Sequence, residues 1–268
     1  MKSYKLIAMD VDDTLLDNQL HISPRVNRLI NRLQAEGVVV TLATGRMFRS
    51  TLPLAKELGL DIPLITYQGA LVKNCISGEV LLHRPLSKER AIEVIRLGRE
   101  QGLHINLYLN DQLYYEQVSK AGEAYARLAD VPVCLVPDLA EFLVSQEEGP
   151  TKMLLIGEEQ HLDNLLESTK SYFGGEVHVT KSKPIFLEFT NPTANKGTAL
   201  AELAQQYGVT REEIMAFGDS YNDLEMLEYA GMGVAMGNAR PALKEIADYI
   251  TKGNDEDGVA EAIERFCF

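Results

Sequence analysis

Three short, uninterrupted apolar runs lie near the two ends of the chain, and each stops at a polar turn. They are Lys5–Met9, Val38–Leu42 and Ile214–Phe217. Strands that are covered on both faces of a sheet need continuous apolar runs, because neither face meets solvent. The pattern therefore predicts buried parallel strands, to which Ile62–Thr66 and Gly233–Ala235 would add two more.

Apolar residues at helical spacing lie between these runs. A helix is predicted after Ser23-Pro24, because an N-cap serine and a proline in the first turn are typical of helix starts. Its predicted apolar face consists of Val26, Leu29, Ile30 and Leu33. Two further helices are predicted for Ala199–Tyr207 and Leu224–Tyr229. Strands and helices in this alternation predict a doubly wound α/β fold with a Rossmann-like parallel sheet.

The middle of the chain has a different pattern, in which helices alternate with paired strands. The predicted elements are helices Ser87–Gln101 and Leu162–Ser168 and strands His104–Leu109, Gln112–Glu116, Lys152–Ile156, Val177–Val179 and Ile185–Phe189. This pattern indicates an α+β module inserted into the α/β domain. With hinges near Pro85 and near Thr190-Asn191-Pro192, residues 1–83 and 190–268 form the predicted core and residues 84–189 the predicted insertion.

Composition and charge narrow the classes of function. The chain has 268 residues, of which 46% are hydrophobic and 24% charged, as in ordinary globular proteins. The net charge of −13 and the lack of any Lys/Arg-rich run argue against partners such as nucleic acids or anionic membranes. An anionic small molecule remains compatible with this charge, since a bound divalent cation reverses the local field.

The cysteines and the N-terminus bear on the compartment. Cys75, Cys134 and Cys267 are far apart and form no Cys-x-x-Cys pair, which favours reduced thiols over a disulfide framework or a zinc site. The apolar run before Asp10 is too short for a secretory signal, and no segment has the length of a membrane span. We therefore expect a cytoplasmic protein; the sequence does not indicate its oligomeric state.

Carboxylates follow two of the predicted strands directly. Residues 10–15 (Asp-Val-Asp-Asp-Thr-Leu) come after the first strand, and residues 218–223 (Gly-Asp-Ser-Tyr-Asn-Asp) come after the strand Ile214–Phe217. Ligands of open α/β sheets bind outside the carboxyl ends of the strands, so both turns are expected at one edge. Either motif alone would fit an acidic turn or a helix cap. Together they predict a cation site, and ligation by oxygen alone is what Mg²⁺ prefers.

Two further motifs suit a bound phosphate. Thr44-Gly45-Arg46 follows the strand Val38–Leu42, and a hydroxyl with neighbouring backbone N–H groups can hold a phosphate oxygen. Lys196 opens a predicted helix, where the macrodipole disfavours a cation, so its position indicates an anionic partner nearby. Taken singly, these motifs are more often a simple turn and a solvated lysine.

The four motifs, in this order, resemble those of the haloacid dehalogenase-like (HAD) superfamily of phosphatases over essentially the whole chain. The insertion between the second and third motifs is similar to the IIB cap of the Cof-type subfamily. The resemblance implies an α/β core with an inserted α+β cap that closes over the site. It also implies Mg²⁺-dependent hydrolysis of a small phosphate monoester through an aspartyl-phosphate.

The resemblance implies a role for each motif residue. Asp10 would attack phosphorus, and Asp12 would protonate the leaving alcohol and later deprotonate the attacking water. The implied Mg²⁺ ligands are the carboxylates of Asp10 and Asp219 and the backbone carbonyl of Asp12, with Asp223 close behind them. The implied substrate- and phosphate-binding residues are Thr44, Gly45, Arg46, Lys196 and Asn222.

Two positions depart from the family pattern. Asp13 stands where many members have glycine. Gln68, in the segment 65–70 (Ile-Thr-Tyr-Gln-Gly-Ala), stands where Cof-like proteins usually carry asparagine before Gly-Ala. Gln68 is longer by one methylene, so we expect an effect on substrate contacts and not on the chemistry.

Three other functions compete with a phosphatase. A related phosphomutase would use the same aspartyl-phosphate, and product analysis separates the two. A phospho-accepting signalling receiver leaves the inserted module unexplained and would place its aspartate after a middle strand. A catalytically inactive binding module would lack at least one of Asp10, Asp12, Lys196 and Asp219, yet all four are present. Sugar phosphates, phosphorylated cofactors such as pyridoxal phosphate or flavin mononucleotide, and nucleotide monophosphates all stay open as substrates.

Overall fold

The computed structural model describes residues 4–268 and divides into two compact units. The core unit contains the residues up to Leu82 together with Asn195–Phe268, and the inserted unit contains His83–Ala194. The predicted insertion, residues 84–189, thus lies within a slightly longer unit. The strand Phe186–Thr190 completes the sheet of this unit, and the amide of Asn191 donates a hydrogen bond of 2.9 Å to the carbonyl of Pro85. These contacts explain why residues 190–194 belong with the insertion.

The strands, in chain order, are β1 (Leu6–Met9), β2 (Val39–Leu42), β3 (Pro63–Thr66), β4 (Leu71–Asn74), β5 (Val80–His83), β6 (His104–Leu109), β7 (Gln112–Tyr115), β8 (Val133–Leu135), β9 (Lys152–Ile156), β10 (His178–Lys183), β11 (Phe186–Thr190), β12 (Ile214–Gly218), β13 (Met232–Ala235) and β14 (Tyr249–Ile250). The helices are α1 (Pro24–Ala35), α2 (Phe48–Glu57), α3 (Lys88–Glu100), α4 (Lys120–Ala129), α5 (Leu139–Val144), α6 (Glu159–Phe173), α7 (Lys196–Gln206), α8 (Leu224–Tyr229), α9 (Pro241–Ile246) and α10 (Gly258–Cys267).

The core unit contains a parallel sheet with the strand order β14-β13-β12-β1-β2. All four residues of β1 are fully buried, and they pair in parallel with β12 on one side and β2 on the other. The continuous apolar runs therefore correctly predicted central strands of a doubly wound α/β sheet. Because the chain passes from β1 to β2 on one side and reaches β12 on the other, the topological switch point lies between β1 and β12. Ligands of such folds bind at this point, at the carboxyl ends of the strands.

A second, three-stranded sheet of the core unit has the order β3-β4-β5. The predicted strand Ile62–Thr66 is found here as β3, which pairs antiparallel with β4. A single parallel bridge between Ala43 and Ile65 connects β3 to the end of β2. This bridge brings the turn after β3 to the same edge as the turns after β1 and β2.

Two helices of the core unit, α1 and α7, begin at side-chain caps. Ser23 caps α1 by accepting a hydrogen bond from the backbone N–H of Arg25, as the Ser-Pro pair predicted. Helix α7 begins at Lys196, which the sequence predicted to open this helix ahead of the apolar segment Ala199–Tyr207. Its cap is Asn195, whose side-chain oxygen accepts a 2.7 Å hydrogen bond from the backbone N–H of Thr198. Lys196 is therefore the first residue of a capped helix.

The inserted unit is built on a six-stranded sheet with the order β10-β11-β9-β6-β7-β8. One face of this sheet forms an apolar core with residues of α3, α5 and α6, which include Val94, Leu143 and Leu162. The sequence predicted the long elements of this unit but missed α4, α5 and β8. Helix α5 and strand β8 have only six and three residues, and α4 buries only Gly122, so none of them offers a long run of buried apolar positions.

None of the helices between residues 4 and 268 has the length and apolar composition that crossing a membrane would require.

Candidate active site

The turn after β1 places Asp10 at the switch point of the sheet. The backbone N–H of Asp10 donates a 3.0 Å hydrogen bond to the carbonyl of Phe217, so the end of β1 is fixed against β12. Asp10 is only 6% exposed, whereas Asp12 and Asp13 reach solvent. Asp13 has a left-handed backbone with φ of 59°. Aspartate tolerates this region better than most residues, and glycine does so best, which explains both residue types at this position.

Lys196 forms the buried centre of the site. It is fully buried, and its Nζ lies 2.5 Å from Oδ1 of Asp10 and 2.6 Å from Oδ1 of Asp223. Burial alone would lower the pKa of Lys196, but the Asp10 and Asp223 carboxylates outweigh it and raise that pKa. Lys196 therefore carries a positive charge throughout the neutral pH range.

Asp223 uses both of its carboxylate oxygens within the protein. Its Oδ1 accepts from Lys196, and its Oδ2 accepts from the backbone N–H groups of Asp219 and Ser220 at 3.1 and 3.0 Å. Asp223 is fully buried. It thus holds the loop after β12 in shape and orients Lys196.

Asp219 directly follows β12, and Thr14 donates a 3.2 Å hydrogen bond to its Oδ1. Carboxylate oxygens of Asp10, Asp219 and Asp223 all lie within 4.8 Å of one another. Burial, followed by the carboxylates of Asp223 and Asp13, raises the pKa of Asp219 to about 7. Burial is also the largest influence on Asp10 and raises its pKa, with Asp223 and Asp219 adding to the effect and Lys196 opposing it.

This cluster fits a divalent cation. Three carboxylates converge on one ammonium group, so the charges balance only if carboxylates are protonated or a further cation binds. The oxygens of Asp10 and Asp219 that Lys196 and Thr14 do not occupy are hard ligands of the type that Mg²⁺ prefers. The separation of Asp10 and Asp219 is therefore compatible with their sharing one ion.

Asp12 and Arg46 form an ion pair at the open side of the site. Nε and Nη2 of Arg46 lie 2.9 and 2.6 Å from the two carboxylate oxygens of Asp12. Burial acts to lower the pKa of Arg46, but its hydrogen bonds to Asp12 and the charges of Asp12 and Asp10 raise it. The sequence predicted Arg46 as a phosphate-binding residue, and in the structure its guanidinium contacts the predicted general acid Asp12.

Thr44, Gly45 and Asn222 complete the set of predicted residues. Thr44 is buried, and its Oγ1 accepts a 3.1 Å hydrogen bond from the backbone N–H of Arg46, which shapes the turn after β2. Asn222 is partly exposed and donates through Nδ2 to Oε1 of Gln68 at 2.9 Å. Sequence reasoning did not foresee this contact. The signal available was only that a glutamine precedes Gly-Ala at the end of a predicted strand.

Comparisons with known proteins agree with this geometry. A model of the family described as haloacid dehalogenase-like hydrolase matches residues 7–263. A Bacillus subtilis 5-amino-6-(5-phospho-D-ribitylamino)uracil phosphatase is 33% identical over 261 residues, covering 97% of this chain and 94% of the relative. A solved haloacid dehalogenase-like hydrolase from Bacteroides thetaiotaomicron is 36% identical with a TM-score of 0.90, covering 98% and 99% of the two chains. A subclass IIB sugar phosphatase, 23% identical with a TM-score of 0.81 over 98% of each chain, shares the fold.

Proposed function

The chain belongs to the haloacid dehalogenase-like hydrolase family, and on that premise we propose that it is a Mg²⁺-dependent phosphatase of small phosphate monoesters with Asp10 as the nucleophile. The observation that carries this proposal is the buried cluster of Asp10, Lys196 and Asp219 at the switch point of the sheet. A carboxylate held by an ammonium group, beside a second carboxylate, supplies both a nucleophile and a cation site. The four sequence motifs meet at this cluster.

The first chemical step forms a bond between the Asp10 carboxylate and phosphorus. The bond between phosphorus and the ester oxygen breaks, and the leaving oxygen takes a proton from Asp12. In the second step Asp12 accepts a proton from water, whose oxygen attacks the aspartyl-phosphate and releases inorganic phosphate. Asp10 returns to a carboxylate. Asp12 thus serves the two half-reactions in opposite proton directions.

The charges around the phosphoryl group account for most of the rate. Phosphate monoesters hydrolyse so slowly in water that enzymes accelerate them by up to ~10²¹-fold. Negative charge spreads over the phosphoryl oxygens in the transition state, so fixed positive charge is the main requirement. Lys196 provides one such charge at a buried position. Mg²⁺, held by Asp10, Asp219 and the backbone carbonyl of Asp12, would supply the other, and Thr44 with Gly45 would hold a phosphoryl oxygen.

The ion pair between Asp12 and Arg46 would link substrate binding to the release of Asp12. Arg46 holds both oxygens of Asp12, which fixes the carboxylate near the mouth of the site. A bound phosphate ester would compete with Asp12 for the guanidinium, because phosphate also forms bidentate contacts with arginine. Substrate binding would then release the Asp12 carboxylate, which takes up a proton from solvent before it protonates the leaving oxygen. Arg46 keeps its predicted role in phosphate binding under this proposal.

The substrate class is small phosphate monoesters. The Bacillus relative is named for an ester in which a ribityl chain carries the phosphate, so that compound belongs in a test panel with sugar phosphates and phosphorylated cofactors. The experiment is a phosphate-release screen with and without Mg²⁺. Stoichiometric release of inorganic phosphate distinguishes hydrolysis from a mutase reaction.

Substitution of Asp12 tests the two-step chemistry. We expect D12N to release one equivalent of p-nitrophenolate from p-nitrophenyl phosphate in a burst and then to stall. The reason is that this leaving group departs without a proton, whereas attack of water on the aspartyl-phosphate needs the base. Stopped-flow absorbance measures the burst. Steady turnover by D12N at the wild-type rate would exclude Asp12 as the proton carrier.

Substitution of Asp219 tests the cation site through stability. Without metal, the raised pKa of Asp219 means that the folded protein binds this proton more tightly than the unfolded chain does. The free energy of unfolding therefore falls as the pH rises from the unfolded-state pKa of Asp219 through about 7. We therefore expect metal-free D219N to melt at a higher temperature than metal-free wild type at pH 8. Mg²⁺ should raise the melting temperature of wild type but not of D219N. An equal response of both proteins to Mg²⁺ would exclude Asp219 as a ligand.

A further inference from the structure

The turn after β3 has an unusual backbone. Tyr67, Gln68 and Gly69 have successive φ values of 51°, 60° and 91°, so three residues in a row are left-handed. Only glycine adopts this region without steric cost, so the backbone is strained at both Tyr67 and Gln68. Tyr67 is nevertheless fully buried. Such a conformation persists only where the surroundings fix it, and it is concentrated at functional sites.

Backbone contacts fix this turn to the first of three active-site segments. The N–H of Tyr67 donates to the carbonyl of Arg46, and the N–H of Gln68 donates to the carbonyl of Thr44, both at 3.0 Å. These bonds attach the turn to the Thr44–Arg46 segment after β2. Any displacement of Gln68 would therefore move the residues proposed to hold the phosphate.

Close packing joins the turn to the second segment, the start of α7. A Cβ on Gly69 would lie 2.2 Å from the carbonyl oxygen of Asn195 and 3.1 Å from the backbone nitrogen of Lys196. Only a residue without a side chain allows this approach. The strained turn thus packs directly against the helix start that carries the buried ammonium group.

The side chain of Gln68 reaches the third segment, the loop after β12. Its Oε1 accepts the 2.9 Å hydrogen bond from Asn222, across 154 residues of sequence. Its Nε2 lies 2.3 Å from the point where a Cβ on Gly45 would stand, so the carboxamide occupies the space that a side chain at that position would need. The carboxamide therefore spans from the Thr44–Arg46 segment to the loop that carries Asp219 and Asp223.

We propose that Gln68 is a positioning residue that couples the phosphate-binding segment to the cation-binding loop by fixing the amide of Asn222, a role that rests on the proposed phosphatase function. The length of the side chain is central to this role. Asparagine is one methylene shorter than glutamine, so from the same backbone its amide would reach less far toward Asn222. Glutamine is less suited than asparagine to a left-handed backbone, but its longer side chain forms the hydrogen bond with Asn222.

A double-mutant cycle tests the coupling. Wild type, Q68L, N222L and the double variant are compared by kcat and KM for p-nitrophenyl phosphate at saturating Mg²⁺. We expect Q68L to lower kcat/KM about tenfold, as the loss of one hydrogen bond that orients a reacting group would do. In the N222L background the same substitution should change kcat/KM less than about twofold, because the partner is already lost. Q68N keeps the amide chemistry but shortens it, and should resemble Q68L.

Controls separate positioning from general destabilisation. Q206N changes an exposed glutamine at the end of α7 and should match wild type. Melting temperatures are recorded for every variant; if Q68L does not fold, Q68N carries the cycle in its place. Additive effects in the two backgrounds, or a fully active Q68N, would overturn the coupling. D10N is included because activity in D10N would refute the proposed function itself, whereas an inactive D10N with an additive cycle would refute only the role of Gln68.

Discussion

Replacement of Asp10 by asparagine should lower kcat by at least about 10³-fold while the protein stays folded. The amide of asparagine is isosteric with the carboxylate but does not attack phosphorus. The fold should survive because the change removes a negative charge from a cluster in which three carboxylates face one ammonium group. Phosphate release measures the activity, and circular dichroism with thermal melting measures the fold.

A matched control is D61N, which changes an exposed aspartate before β3 that lies outside the cluster. It should retain wild-type kcat and KM, which shows that the assay reports on position and not on net charge. Deamidation of the introduced asparagine in D10N would regenerate the nucleophile and with it some activity. Mass spectrometry of the variant measures the deamidated fraction. Turnover by intact D10N within about tenfold of wild type would contradict the assignment of the nucleophile.

Replacement of Lys196 by methionine should have the largest effect on stability. Lys196 is fully buried, and its loss leaves the carboxylates of Asp10 and Asp223 buried without their partner. Breaking a buried pair in this way costs about 3–5 kcal/mol. The raised pKa of Lys196 means that its stabilising contribution is fully present below its unfolded-state pKa and is lost only in strongly alkaline solution. The full loss should therefore appear at neutral pH.

The loss of stability in K196M should depend on pH. Lys196 opposes the rise that burial causes in the pKa of Asp10, so without the ammonium group this carboxylate takes up a proton more readily and the difference between K196M and wild type should shrink as the pH falls from 8 to 5. Urea denaturation with EDTA present, at both values, measures it. The double variant K196M/D223N should recover part of the loss at pH 8, because it removes one unpaired charge.

The control for this series is K56M, which removes an exposed lysine of α2. Surface lysines contribute little, so its stability should stay within about 0.5 kcal/mol of wild type. A K196M protein as stable as K56M at pH 8 would show that the buried ion pairs are not what holds the cluster together. K196M should also lack activity, because the charge that faces the phosphoryl oxygens is gone.

The proposed function requires a protein with a net charge of −13 to bind an anionic substrate. The chain as a whole repels a phosphate ester, and its carboxylate cluster would do so most strongly. Under the proposed function, Lys196, Arg46 and a divalent cation would reverse the sign of the field locally, where the distances to the phosphate are short. Association should therefore depend more on Mg²⁺ concentration than on the overall field of the protein.

The sequence by itself determined the fold class and the positions of the four motifs. Those features are encoded locally: continuous apolar runs predict β1, β2 and β12, and a polar turn directly after each run places its residues at the carboxyl end of a parallel strand. The Ser-Pro helix start before α1 is equally local. A single segment of chain contains the whole signal in each case, so no knowledge of the rest of the molecule was needed.

Only the tertiary structure decided which side-chain atoms meet. Lys196 contacts Asp10 across 186 residues, Arg46 contacts Asp12 across 34, and Gln68 contacts Asn222 across 154. Such contacts depend on how the sheet registers strands from opposite ends of the chain and on which charges are buried together. Neither the register of distant strands nor the joint burial of charges leaves a pattern in a single segment of sequence. The sequence thus supplied the candidate reacting groups, whereas the packing of distant loops determined which partners they contact and placed Gln68 against Asn222.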